Sequence, residues 1–368
     1  MKATRLILVG GFLGAGKTTL LWEAALRLMR QEKHVGLITN DQAPELVDTA
    51  FLRHKNLRVA EVSGSCFCCN FKGLAEAMKQ VKEAANADVI LAEPVGSCTD
   101  LSATVLQPLK KTMHGELIIS PLSVMADPFR LTDIIRGGNA GLHPGAAYIL
   151  RKQLEESDII LISKSDLLKP ENLVFLMEKV RIHFPGSDVM AISSVSGEGI
   201  TEWLEEVNKR IDAGKRLADV DYNLYAEGEA VMGWLNCTLE FTGAKKTDWD
   251  DFSLNLLRQL NRRFENEKVT VAHLKILLEA GDRYLVGNLT GTAETITLRG
   301  NVGKTVQSAM ILNARVEIRP DLLEKIVREE ISDSTQHIGE VKTVAWRCFS
   351  PGPPKPNFRF DHVVPGRE

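Results

Sequence analysis

Residues 11–18 read Gly11-Phe12-Leu13-Gly14-Ala15-Gly16-Lys17-Thr18, a G-x-x-x-x-G-K-T pattern. The apolar run Leu6-Ile7-Leu8-Val9 precedes it and a helix-like segment follows from Thr18. Strand, glycine-rich turn and helix in that order form an anion cradle. The turn's backbone N–H groups and the helix N-terminus converge on phosphate oxygens. Residues Gly11, Gly14, Ala15, Gly16, Lys17, Thr18 and Thr19 are therefore read as the nucleotide phosphate site. Lys17 is placed to reach β- and γ-phosphates, and the Thr18 hydroxyl to ligate Mg²⁺.

A second group with chemistry lies at Cys66-Phe67-Cys68-Cys69, three thiols within four residues. Three thiolates suit a soft or borderline ion such as Zn²⁺ or Co²⁺. A closed structural zinc site usually takes two separated pairs of ligands. Crowded thiols instead predict an incomplete, exchangeable site whose fourth position is water, a donor, or a residue from elsewhere. Burial as small apolar side chains and a vicinal redox switch are the competing readings.

Two further loops bear on the base. Ser163-Lys164-Ser165-Asp166 follows an apolar run at the place where GTPases carry N-K-x-D, with Ser163 in place of the asparagine. A carboxylate at Asp166 can accept the N1–H and N2–H₂ of guanine, a pattern adenine does not offer, and the Lys164 stem can stack on the base. Ser193 and Ser194, in Ile192-Ser193-Ser194-Val195-Ser196-Gly197, are similar to the second base-contacting loop of GTPases. GTP is the expected nucleotide. Glu93 and Asp41 each end an apolar strand-like run and are candidates for Mg²⁺ binding and hydrolysis, and the Gly96 N–H is placed to sense the γ-phosphate.

The elements that must position these groups alternate. Strand-like runs fall at 5–10, 35–39, 58–62, 88–92, 116–125, 157–162 and 188–192. Helix-length amphipathic stretches fall at 17–31, 71–85, 145–155, 170–184 and 199–213. This is the pattern of an α/β fold with a mainly parallel sheet covered by helices on both faces and ligands at the carboxyl ends of its strands. A polar stretch at 214–228 reads as a linker after a nucleotide-binding domain at 1–213. Residues 229–333 read β-α-β-β-β-α, a smaller α+β domain with an antiparallel sheet. Residues 334–368 read as an irregular tail with the proline-rich stretch Pro351-Gly352-Pro353-Pro354-Lys355-Pro356.

The 368 residues are 44% apolar and 25% charged, with a net charge of −3. That balance gives no reason to invoke nucleic acid or an anionic membrane. No apolar run nears the roughly 20 residues of a spanning helix. The first apolar run reads as a strand rather than a signal peptide, and the expected location is the cytoplasm. Six cysteines, three of them clustered, point to metal or redox chemistry rather than structural bridges. Of the rest, Cys98 reads as a lone thiol and Cys237 as core. His114, His183 and His273 read as surface or capping residues. His337, Cys348 and His362 are a weak auxiliary metal set, and Trp346-Arg347-Cys348-Phe349 folds back on its own domain or docks a partner.

Taken in order, these motifs resemble the CobW/HypB/UreG-like family of P-loop GTPases, and most closely its CobW-type metallochaperone branch. The resemblance covers roughly residues 5–213. It rests on Gly10 to Thr19, Asn40-Asp41, the C-x-C-C motif, Glu93-Pro94-Val95-Gly96, Asp127 after an apolar strand, and the S-K-S-D loop. Ser65, Pro94 and Ser163 depart from the usual pattern. The resemblance implies a slow, regulated GTPase that carries a transition metal at Cys66, Cys68 and Cys69. It implies delivery to a client metalloenzyme or cofactor-assembly protein; a homodimer that depends on nucleotide or metal is a separate expectation. The alternatives are a redox- or metal-sensing interaction protein and, less favoured, a small-molecule kinase. Because the thiols lie between the Asp41 and Glu93 segments, metal and GTP binding are expected to be coupled.

Overall fold

The computed structural model describes residues 3–42, 47–54, 58–291 and 295–365. The first half of the chain runs β1 (Thr4–Gly11), α1 (Lys17–Arg30), β2 (Val35–Asn40), α2 (Val47–His54), β3 (Arg58–Val62), α3 (Phe71–Ala85) and β4 (Val89–Glu93). A helix follows whose first five residues, Ser102–Leu106, are π-wound and whose remainder is α4 (Gln107–Thr112). Then come β5 (Leu117–Ile119), β6 (Ser123–Ala126), α5 (Pro128–Ile135), α6 (Pro144–Glu156), β7 (Ile159–Ile162), α7 (Pro170–His183), β8 (Asp188–Ala191) and α8 (Ile200–Lys209).

These strands form one parallel eight-stranded sheet in the order β3-β2-β4-β1-β6-β7-β8, with β5 also paired to β1. Leu6, Ile7, Leu8 and Val9 are all essentially solvent-free. Helices on both faces make such continuous apolar strands the stable choice. The run expected as one strand over 116–125 is two. β5 pairs with the start of β1 and β6 with its end. Pro121 lies at the break and has no N–H to continue a ladder. The carboxyl ends of β3, β2, β4 and β1 therefore stand side by side. They carry, in that spatial order, the thiol loop, Asn40-Asp41, the Glu93–Cys98 segment and the phosphate loop.

The second half runs α9 (Tyr222–Ala230), β9 (Gly233–Asp248), α10 (Trp249–Asn266), β10 (Val271–Ala280), β11 (Arg283–Thr290), β12 (Thr295–Gly300), β13 (Lys304–Val316), α11 (Pro320–Thr335) and β14 (Gly339–Phe349). Its six strands form an antiparallel sheet, β12-β11-β10-β13-β9-β14. Helices α10 and α11 pack on it around a core that includes Trp249, Phe252, Leu257, Leu323 and Ile326. Two boundaries differ from expectation. The polar stretch 214–228 is irregular only to residue 221, after which α9 begins and packs on α6. The stretch expected as irregular from 334 contains the end of α11 and all of β14. β14 is an edge strand whose pairing with β9 supplies the order that its polar sequence does not announce.

Candidate functional site

The phosphate loop is shaped by glycine at two positions. Gly11 has φ +128°, and a Cβ there would lie 2.3 Å from the Met125 carbonyl oxygen. Gly16 has φ +95°, and a Cβ there would make only an ordinary 3.7 Å contact with the Met125 side chain, so its backbone conformation demands glycine. Gly16 also caps α1 without a side-chain bond, which leaves the first N–H groups of α1 for an anion.

Lys17 is buried and folds its Nζ onto the loop, donating to the Gly11 carbonyl at 2.9 Å. Glu93 is its counter-ion at 3.8 Å and accepts the Thr18 hydroxyl at 2.9 Å. Burial pushes the Lys17 pKa down and the Glu93 pKa up, each opposed by the other's charge. A hydroxyl and a buried carboxylate in contact beside a phosphate cradle are the oxygen donors a hard cation such as Mg²⁺ takes. Asp41 stands otherwise. Its carboxylate accepts Arg315 Nη2 at 3.0 and 3.1 Å, and Arg315, on β13, is fully buried against the Trp234 ring. The carboxylate expected to serve Mg²⁺ thus ties β2 to the antiparallel sheet.

Gly14, Ala15, Gly16, Lys17, Thr18, Thr19, Asp41, Glu93, Gly96, Lys164, Asp166 and Ser194 line one cavity of about 320 Å³. At its far end Lys164 donates to Asp127 at 2.8 Å, with φ +51° at its own backbone. Asp166 is exposed at the rim. The Ser163 hydroxyl donates to the Ala126 carbonyl at 3.1 Å and ties β7 to β6. A bond from this loop to the neighbouring strand therefore exists without asparagine. Ser193 lies behind the cavity rather than in it. Its hydroxyl accepts the Val195 and Ser196 N–H groups at 3.2 and 3.1 Å, shaping the loop that presents Ser194.

The other wall of the cavity comes from the antiparallel sheet and includes His273, Lys275, Asn288 and Arg299. His273 was expected to be a surface or capping residue. It is buried, burial drives its pKa well below the usual range, and its Nδ1 has no hydrogen-bond partner. Lys275 is ion-paired with Asp48 at 2.6 Å, and Arg299 lies over the Trp22 ring at 4.0 Å. No local pattern marks these residues, because β10–β12 read as ordinary alternating strands.

The three motif thiols converge. Cys66 and Cys68 Sγ are 3.0 Å apart, Cys68 and Cys69 Sγ 3.7 Å, and all three lie within 4.8 Å of one another. Cys98, expected to be alone, is fully buried, and its thiol interacts with those of Cys66 and Cys68 without joining their close group. Hydrogen bonds from Cys68, Cys69 and Cys98 hold the Cys66 pKa well below the ordinary thiol value. The others are pushed up, Cys69 to about 11.

Two segments join this pocket to the nucleotide cavity. The Asn40 side chain donates to the Val62 and Ser65 carbonyls, each at 2.8 Å, and accepts the Phe67 N–H at 2.8 Å. Asn40 is therefore the brace of the thiol loop, and its neighbour Asp41 lines the cavity. The segment Glu93–Cys98 has Glu93 at the phosphate end and Cys98 at the thiols. The irregular tail also reaches the motif. The Lys355 N–H donates to Cys69 Sγ at 3.1 Å, the Asn357 N–H to the Cys68 carbonyl at 2.8 Å, and the Phe358 ring meets Phe71 edge-on.

Among the described residues Cys66, Cys68 and Cys69 are the only group of three or more His, Cys, Asp or Glu side chains gathered closely enough to hold a metal. His337, Cys348 and His362 are not brought together. Cys348 donates to the Pro320 carbonyl, and His362 is exposed against Asp361. Trp346 and Phe349 cover their own domain, against Arg328 and Trp234. Cys237 is fully buried on β9.

A parallel sheet with a glycine-rich loop, Lys17 and Thr18 at the carboxyl end of β1 defines a P-loop nucleotide-binding protein. Residues 5–190 match the CobW/HypB/UreG nucleotide-binding domain, and the chain belongs to that family. The zinc chaperone YeiR of Escherichia coli (strain K12) is 29% identical over 179 residues. The match spans 46% of this chain and 49% of that relative, about half the length of each. Among solved structures, the hydrogenase maturation factor HypB from Archaeoglobus fulgidus is 17% identical, with a TM-score of 0.39 over 56% of this chain and 90% of HypB. The Zn(II)-bound YjiA GTPase from E. coli is 14% identical, with a TM-score of 0.35 over 90% of this chain and 99% of YjiA. No helix among the described residues is long and apolar enough to cross a membrane.

Proposed function

We propose that this protein is a GTP-hydrolysing metallochaperone. It carries Zn²⁺ or Co²⁺ at Cys66, Cys68 and Cys69 and passes it to a client metalloenzyme or cofactor-assembly protein in a reducing, cytoplasmic setting. The observation that carries the reading is the Asn40 bridge. One side chain at the end of β2 braces the thiol loop, and the next residue lines the nucleotide cavity. The name of the curated relative, a zinc chaperone, supports the same reading.

In this reading Lys17 and the first turn of α1 hold the phosphates, and Asp166 and Lys164 hold guanine. Thr18 and Glu93 hold Mg²⁺, which supplies charge neutralisation at the β- and γ-phosphates. Among the described residues no side chain beside the cradle is an evident general base, which agrees with slow turnover that awaits a partner. Asp41, paired with Arg315, senses nucleotide through the antiparallel sheet. That sheet closes the cavity and is positioned to report its state to a client.

The test is a competition titration of the reduced, metal-free protein with Zn²⁺ and Co²⁺. It is run with Mg²⁺ plus GDP and with Mg²⁺ plus a non-hydrolysable GTP analogue. The expected result is a tight site, lost in Cys66→Ser, whose affinity differs between the two nucleotides. Coupling of binding free energies is reciprocal, so metal must shift nucleotide affinity by the same factor. A site indifferent to nucleotide removes the metallochaperone mechanism. The 3.0 Å approach of Cys66 and Cys68 then favours a redox-sensing protein instead.

A further inference from the structure

We propose that Cys98 is the fourth sulfur ligand of the metal cargo, joining Cys66, Cys68 and Cys69 in a four-thiolate site. The inference rests on the metal-carrier reading and deepens it by naming a ligand from outside the motif.

The argument is one of place. Cys98 comes from the segment after β4, and the C-x-C-C motif from the segment after β3, with β2 between them in the sheet. Both segments leave the same edge, which brings a thiol separated by about 30 residues of sequence onto the motif. Cys98 is held there. Its N–H donates to the Val95 carbonyl at 2.9 Å, and Gln153 Nε2 donates to the Gly96 and Cys98 carbonyls at 3.0 and 2.7 Å. Its side chain is fully buried and interacts with the thiols of Cys66 and Cys68. Three donors from one turn and a fourth from the adjoining loop satisfy the tetrahedral preference of Zn²⁺. Binding forms four metal–sulfur bonds and removes the proton from every thiol not already ionised. The protons leave to solvent and a site of net charge −2 remains. The Lys355 N–H on Cys69 Sγ partly offsets that charge.

The arrangement has a consequence for release. Cys98 lies outside the close group that Cys66, Cys68 and Cys69 form, so closing all four sulfurs on an ion requires the 93–98 segment or the motif to shift. Gly96, two residues before Cys98, lines the nucleotide cavity. A nucleotide-dependent movement of this segment withdraws one of four ligands and turns a closed site into an exchangeable one.

The experiment is X-ray absorption at the zinc edge on the full chain loaded with one equivalent of Zn²⁺, in the GDP and GTP-analogue states. Four sulfurs at about 2.3 Å in at least one state support the assignment. In that state Cys98→Ala must show three sulfurs and one lighter atom, with metal affinity at least about tenfold weaker. Three sulfurs in both states of the unaltered protein overturn it, and that count needs no variant to fold. Sulfur number and affinity unchanged in Cys98→Ala, with melting and GDP binding intact, overturn it as well. If the unaltered protein binds no zinc that Cys66→Ser abolishes, the metallochaperone reading itself has failed. That outcome is distinct from a three-sulfur site, which removes only the role of Cys98.

Discussion

The phosphate cradle and the thiol pocket lie at the same edge of the same sheet, yet they are built differently. The cradle is contiguous. Gly11 to Thr19 supply backbone N–H groups, the required positive φ angles and the cation, and only Glu93 comes from another strand. The thiol pocket is assembled. Its loop takes its shape from Asn40 on β2, its fourth thiol from beyond β4, and its outer contacts from Lys355 and Asn357 nearly 300 residues further on. A site made of local backbone geometry forms wherever the loop folds. A site made of distant side chains responds to any movement of the elements that bring them, which suits a site that must both hold and release its cargo.

Four substitutions break or sharpen that contrast. The largest effect is expected at the cradle. Lys17→Ala should lower kcat for GTP hydrolysis by about 10²–10³-fold, measured as phosphate release. Metal binding by the nucleotide-free protein should be unaffected, and if it weakens equally the two sites are not separable. Next comes the tie between sheets. Asp41→Ala leaves the buried Arg315 guanidinium without its carboxylate and should destabilise the antiparallel domain by about 3 kcal/mol. Urea unfolding followed by tryptophan fluorescence, to which Trp234 stacked on Arg315 contributes, measures the loss.

Asn40→Ala tests the assembled character of the thiol pocket. It removes three hydrogen bonds from the motif loop without touching a sulfur, and metal affinity should fall about 10–100-fold. GDP affinity should hold, whereas an equal loss of both would make Asn40 a general structural residue. The smallest effect concerns the Cys98 segment. Glu156, at the end of α6, accepts the Ser102 N–H at 2.8 Å and the Thr99 hydroxyl at 3.1 Å, and burial pushes its pKa up to about 8. A carboxyl raised in the folded state contributes stability that is full below its unfolded pKa of about 4.3. That stability is lost as pH rises through the folded value. Stability should therefore decline from pH 5 towards pH 8, and Glu156→Gln should flatten the slope in melts across that range.

Much of the fold was legible. The strand-length apolar runs and the 3.6-residue periodicity of 71–85 do not depend on partners; α3 formed with its expected ends and α7 ended one residue short of the expected 170–184. β14 was not legible, because an edge strand with one solvated face reads as polar tail until β9 pairs with it. The break at Pro121 was marked in sequence by the residue itself. His273 was misread because a lone histidine carries no local signal of burial. Cys98 offered a fainter clue, five residues beyond a carboxylate-ending strand in a sheet whose ligands collect at that end.

The sequence by itself determined that this chain binds a phosphate and presents three thiols. Those functions rest on neighbouring residues whose conformation is set by local sterics and by glycine's freedom at positive φ. The tertiary structure alone decided that Cys98 joins the thiols, that Asp41 answers to Arg315, that the antiparallel sheet walls the nucleotide cavity and that the tail crosses the motif. Each is a contact between residues far apart in the chain, brought about by burial and strand order, and neither quantity is written in any local pattern.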